Sequence, residues 1–121
     1  MPIKKILIVD DSPTARHALS ELLVKNGFNI VTAESGEEAI SKSKSEMPDL
    51  ILMDVVMPGM NGYQATRTIT REEATKHIPV VMCTSKGQET DKIWGMRQGA
   101  NDYLVKPIDP KVLLEKIAAL G

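Results

Sequence analysis

The sequence predicts an α/β fold, a doubly wound five-stranded parallel sheet made of five βα units, (βα)5, with residues 1–121 forming a single domain. Three observations carry this. Five short β-rich runs recur along the chain, and the first, third and fourth are almost wholly apolar, the pattern of strands buried on both faces. The gaps between runs are roughly 17–25 residues, too long for hairpins and right for crossover helices. Each gap also carries the start and stop signals of a helix.

The first strand reads as Ile6-Leu7-Ile8-Val9. Ser12 then suits an N-cap, Pro13 the first helical position, and Gly27 a C-terminal cap, with Ala15, Leu19, Leu22 and Leu23 recurring at helical spacing between them. Asn29–Ala33 forms the second strand, and Ser35-Gly36-Glu37-Glu38 opens the second helix with a capping-box pattern that must close before Pro48. Leu50–Met53 forms the third strand. A helix begins after Gly62 and turns Ala65, Thr66 and Ile69 inward, ending near Glu73. Pro79–Cys83 is the fourth strand; its helix carries Ile93 and Met96 and stops at Gly99. Asp102–Val105 is the fifth strand, and the last helix follows Asp109-Pro110 and presents Leu113, Ile117 and Leu120.

Composition excludes several functions. Fifteen basic residues face sixteen acidic ones, interspersed for a net charge of −1, so no basic tract exists to follow a nucleic-acid backbone. Aromatic residues make up 3%, too few for base-stacking platforms. No apolar run is long enough to span a bilayer, and the strand that begins almost at Met1 leaves no room for a signal peptide. The single Cys83 suits a reducing compartment. The expectation is a cytoplasmic protein, acting as a monomer, without membrane insertion and without a nucleic-acid partner.

In an open parallel sheet the site lies beyond the carboxyl ends of the strands. There the chain places Asp10-Asp11 after the first strand, Asp54 after the third, Thr84-Ser85 after the fourth and Lys106-Pro107 after the fifth. Three converging carboxylates repel one another unless a cation joins them, and a hard divalent ion such as Mg2+ is the economical one. A cation, an ammonium and a hydroxyl around a carboxylate make a site for a phosphoryl group, whose peripheral oxygens need neutralising. Each piece alone reads as loop polarity, a turn or a helix cap; their joint placement at the proper ends of different strands does not.

These residues, with Met57-Pro58-Gly59 and Gly62 after Asp54 and Tyr103 three residues before Lys106, resemble the receiver domain of bacterial two-component response regulators from end to end. With no appended output domain, the chain resembles the stand-alone chemotaxis regulators of the CheY type, flavodoxin-like in fold. Asn61–Arg67, Gln88–Lys92 and Trp94–Ala100 look like the twitching-motility regulators of the PilH/PilG group.

The resemblance implies a role for each residue. Asp54 is the phosphoacceptor, supplied by a histidine kinase of the CheA type. Asp10, Asp11, Asp54 and the Val56 backbone carbonyl hold Mg2+ (or Mn2+), Asp10 directly or through water. Lys106 neutralises a phosphoryl oxygen, Thr84 donates a hydrogen bond to it, and the Lys106–Pro107 peptide is cis. Thr84 and Tyr103 form the switch. Lys92, Met96, Tyr103, Ile108, Val112 and Lys116 form an output face on helix 4, strand 5 and helix 5, read by a pilus or motility protein. Val56 and Lys86 tune the phosphoryl lifetime. The chain mediates its own phosphorylation and dephosphorylation without a separate turnover substrate, either as an active effector or as a phosphate sink or relay intermediate for the same kinase. The alternative of another class, a Mg-dependent aspartate-nucleophile phosphatase, needs an acid two residues after Asp54, where Val56 stands. A nucleotide- or flavin-binding domain needs a glycine-rich first turn, where Asp10-Asp11-Ser12-Pro13 is acidic instead.

His17 and His77 lack metal-ligand partners at suitable spacing. Cys83 reads as a buried small hydrophobe, Trp94 as packed at one end of its helix, and Met53, Met57, Met60 and Met82 as packing residues.

Overall fold

The structure, a computed structural model, describes residues 2–85 and 89–121, without the side chains of 89–92. Strands and helices alternate strictly: β1 (Lys5–Val9), α1 (Pro13–Lys25), β2 (Asn29–Ala33), α2 (Gly36–Glu46), β3 (Leu50–Asp54), α3 (Gly62–Arg71), β4 (Val80–Thr84), α4 (Glu89–Arg97), β5 (Asp102–Val105) and α5 (Pro110–Leu120). The strands form one parallel sheet in the order β2-β1-β3-β4-β5.

Alternation along each central strand divides the core in two. Leu7, Val9, Ile51, Met53, Val80 and Met82 face one side, with Ala39 of α2 and Ala65 and Ile69 of α3. Ile6, Ile8, Leu50, Leu52, Val81 and Cys83 face the other, with Leu23 of α1 and Leu113 and Ile117 of α5. Strands β3 and β4 are buried throughout, which is why they carry no polar alternation, whereas β2 at the sheet edge is only partly covered.

Helix ends follow the expected chemistry with two differences. Ser12 caps α1 and Gly27 closes it, both as expected: just beyond Asn26, Gly27 adopts φ +91 and its N–H donates to Val24 O at 3.0 Å, while Phe28 N–H donates to Leu23 O at 3.0 Å. Ser35 accepts from Glu38 N–H, but the Glu38 carboxylate accepts from Glu34 N–H at 2.7 Å, one residue before the position a full capping box uses. The complete box belongs to α3, between Asn61 and Gln64, and this helix stops at Arg71, short of Glu73. Trp94 is half-exposed rather than packed, meeting Tyr63 edge-on at 6.5 Å between ring centroids.

Candidate functional site

The strand order reverses between β1 and β3, so the carboxyl ends of these two strands open the crevice at the middle of the sheet. Asp10 leaves β1 there and Asp54 closes β3; both are buried, and Asp11 beside them is exposed. The three offer carboxylate oxygens within 4.8 Å of one another. From β5, Lys106 reaches across and donates to Asp10 Oδ2 and Asp54 Oδ1, both at 2.9 Å. Its backbone N–H is held by Thr84 O at 2.7 Å, and its peptide to Pro107 is cis, as expected.

The electrostatics follow from this geometry. Burial pushes the Asp54 carboxyl above the usual carboxylate range; Lys106 pulls it back, and the charges of Asp10 and Asp11 raise it further. Burial works against the Lys106 ammonium, but its hydrogen bonds to Asp54 and Asp10 outweigh that and hold its pKa above the ordinary lysine value. One ammonium thus stands among three carboxylates, and the donor set, all hard oxygens, fits a divalent cation of the Mg2+ kind.

Local structure fixes each side chain. Asp10 Oδ1 accepts the Ser12 N–H at 2.9 Å, so both its oxygens are engaged by donors of this chain. Arg16, one turn into α1, donates to the Asp10 backbone carbonyl at 2.6 Å and approaches Glu34 at 3.4 Å. Sequence reasoning missed Arg16; its signal was a basic residue one helical turn beyond the Ser12 cap that follows the acidic pair. Gly62 was read as a helix start and as one of the residues that carry the resemblance, with no packing role. In fact its N–H donates to Val55 O at 2.8 Å, and a Cβ there would lie 2.1 Å from the carbonyl oxygen of Asp54.

Thr84 ends β4, buried, and shares with Tyr103 a narrow cavity of about 10 Å3 bounded also by Val55, Met82 and Met96. Tyr103 is half-buried, with Lys116 Nζ 5.7 Å from its ring centroid and paired to Asp102 at 2.9 Å. Met96 and Val112 are exposed, as are Ile93, Trp94 and Val105, the last two residues along β5 from Tyr103 and so on the same face. Ile108 departs from its expected place. It packs on the α1 side and lines an apolar groove with Ala18, Leu19 and Leu22. The Val56 side chain is exposed. Lys86 and the Lys92 side chain lie outside the described residues. His17 pairs with Glu21 on an exposed helix face, and Cys83 is buried.

A doubly wound sheet with an acidic triad and a bridging lysine at its switch point defines a domain that handles a cation and a phosphoryl group together. Residues 6–118 match the response regulator receiver domain, and the chain belongs to that family. It is 52% identical over 116 residues to Protein PilH of Pseudomonas aeruginosa, covering 96% of each chain. Among solved structures, the chemotaxis protein CheY4 of Vibrio cholerae superposes with a TM-score of 0.92 at 33% identity over 98% of this chain and 99% of that one. A CheX–CheY–BeF3–Mg complex from Borrelia burgdorferi aligns with a TM-score of 0.90 at 32% identity, over 97% of this chain and 88% of that one. The chain is therefore a receiver domain, a signalling protein of two-component systems whose family binds Mg2+ at an acidic pocket and works with a histidine kinase and a downstream effector. Among the described residues no helix is long and apolar enough to cross a membrane.

Proposed function

We propose that this chain is a phosphorylation-dependent switch of the cytoplasm in which Asp54 accepts a phosphoryl group from a CheA-type histidine kinase. Its output would be protein–protein contact in type IV pilus twitching motility. One observation carries the reading: Lys106 bonds Asp54 and Asp10 at once, at 2.9 Å each, which places a permanent cation at the carboxylate that would attack.

In the transfer, an oxygen of Asp54 attacks the phosphorus of a phosphohistidine. The P–N bond breaks, its electron pair stays on the imidazole, and an acyl phosphate forms on Asp54. Lys106 already holds Oδ1, while among the described residues no donor meets Oδ2, which leaves that oxygen as the nucleophile. Asp11, Asp54 and the Val56 carbonyl would hold Mg2+ (or Mn2+), which when bound neutralises charge on the carboxylates and the phosphoryl oxygens. With both of its oxygens engaged by Ser12 and Lys106, Asp10 is better suited to act through water.

Phosphorylation adds nearly two negative charges and three acceptor oxygens, and the Thr84 hydroxyl would move to donate to one. The cavity shared by Thr84 and Tyr103 has room for about one water and none for a phenol ring, so Tyr103 can turn inward only after Thr84 leaves. That couples the phosphoryl group to the face of α4, β5 and α5. The exposed apolar side chains of Met96, Val105 and Val112 there, with Lys116 beside them, favour an effector that binds a partner over a phosphate sink.

Asp54→Asn should abolish labelling by acetyl phosphate or by the cognate kinase, and retained labelling refutes the acceptor assignment. Capture of a partner by the phosphorylated form alone supports the effector; fast draining of the kinase with no capture supports the sink.

A further inference from the structure

A second concave site lies at the opposite end of the sheet from Asp54, where α3 and α4 finish and β4 begins. It is an open hollow of about 360 Å3. Arg71 from the last turn of α3, Arg97 from the last turn of α4, and Lys76 and His77 from the turn before β4 line it, and among the described residues no carboxylate does. An arginine in a last turn is ordinary on its own, because it complements the helix dipole. The dipole does not explain why both converge on one hollow, joined there by a lysine and a histidine, in a chain of net charge −1.

Its floor is held rigid. Thr70 Oγ1 lies 2.8 Å from both Thr66 O and Gln98 O, which presses the end of α4 onto α3. Gly99 permits this approach: it sits at φ +102, and a Cβ there would lie 2.6 Å from Thr70 Oγ1. Asn101 Oδ1 accepts the Val80 N–H at 3.0 Å, which ties the start of β4 to the segment between α4 and β5. Lys76 is tied to Glu73 at 2.9 Å, but among the described residues neither Arg71 nor Arg97 has an ion-pair partner.

We propose that this hollow binds a small anion bearing a diphosphate. Two guanidinium groups match phosphate oxygens bidentately, and a volume of this order suits a small molecule. Among the described residues no Phe, Tyr or Trp lines the hollow and its one ring is the His77 imidazole, so recognition falls mainly on the phosphates. Inorganic pyrophosphate and a nucleoside diphosphate share that chemistry.

The test uses the full chain with EDTA, titrated with inorganic pyrophosphate and followed by calorimetry and by amide NMR. Expected are saturable one-to-one binding, weaker at higher ionic strength, with shifts at Thr70, Gln98, Gly99 and Asn101 and none at Asp10, Asp11 or Asp54. Arg71→Gln and Arg97→Gln should each weaken binding about tenfold at an unchanged urea midpoint, while Arg67→Gln, exposed and outside the hollow, should not. Equal affinity for ADP and GDP would assign the contact to the diphosphate, and a base preference would overturn that part of the assignment. Absence of saturation, shifts centred on Asp54, or indifference to both arginine variants overturns the proposal. Tighter binding of a glutamate-rich peptide than of pyrophosphate also overturns it and gives the hollow to an acidic protein segment.

Discussion

Gly62→Ala tests how the acceptor residue is positioned. A methyl group at Gly62 would stand 2.1 Å from the carbonyl oxygen of Asp54, 2.9 Å from its carbonyl carbon and 3.0 Å from Val55 Cα. All three are backbone atoms, so no rotamer change relieves the clash; the start of α3 must move by about 1 Å relative to the end of β3 to restore van der Waals contact. The Gly62 N–H bond to Val55 O, 2.8 Å, opposes that movement. Overpacking of this kind costs about 1–3 kcal/mol, and the rigidity of both partners puts it at the upper end. Alanine's better helix propensity offsets less than about 1 kcal/mol. The expected net loss is about 2 kcal/mol, read in urea as a midpoint lower by about 1 M for a domain of this size. Gly27→Ala is the control: its φ of +91 strains alanine, but nothing lies within 4 Å of the new Cβ, so it should cost only about 1 kcal/mol. Because the displaced atoms belong to Asp54, Gly62→Ala should also slow acetyl phosphate labelling, which Gly27→Ala should leave alone. A Gly62→Ala protein within about 0.5 kcal/mol of the parent, labelling at the same rate, would refute this account.

Other outcomes follow from the electrostatics. Asp54 has its folded-state pKa raised, so it favours folding in its protonated form, and this contribution is lost as pH rises from the unfolded value through the folded one. Asp54→Asn should therefore raise the melting temperature at pH 7 in EDTA, and the gain should shrink on acidification; a lower melting temperature at pH 7 contradicts the burial argument. Asp49 shows the opposite sign: N–H bonds from Lys5 and Lys4 hold its pKa down, so its contribution is present above the unfolded value and fades as pH falls through the folded one. Asp49→Asn should lower stability slightly at pH 7, with the difference from the parent closing as pH falls below the ordinary aspartate range in acid titrations followed by circular dichroism. Burial pushes the Cys83 thiol up to about 12, so at pH 8 it should react with thiol reagents only as fast as the chain opens; prompt labelling of the native protein would contradict its burial.

Much of the fold was written in local patterns. Unbroken apolar runs marked strands covered on both faces, because a residue on either face of β3 or β4 meets a helix layer. The helix starts were legible at Ser12-Pro13 and Asp109-Pro110, since caps are formed by residues adjacent in sequence. Asn61-x-x-Gln64 carried the same kind of signal and was passed over in favour of Ser35 and Glu38, where the glutamate bonds one residue further back.

The candidate site was legible for a related reason. In parallel βα units every strand ends at the same edge, so Asp10, Asp11, Asp54, Thr84 and Lys106 could be assembled from strand ends alone. What the sequence by itself determined was therefore the class of chemistry: carboxylates, an ammonium and a hydroxyl on one rim. Tertiary structure alone decided which of these groups touch. Lys106 takes Asp10 and Asp54 together because β1 and β3 are neighbours in the order β2-β1-β3-β4-β5. The same packing turned Ile108 toward α1, pressed Gly62 onto Asp54, and brought Arg71 and Arg97, 26 positions apart, to one hollow. Periodicity says which side of an element is buried; contacts between elements depend on their order and approach, which no local pattern in the chain records.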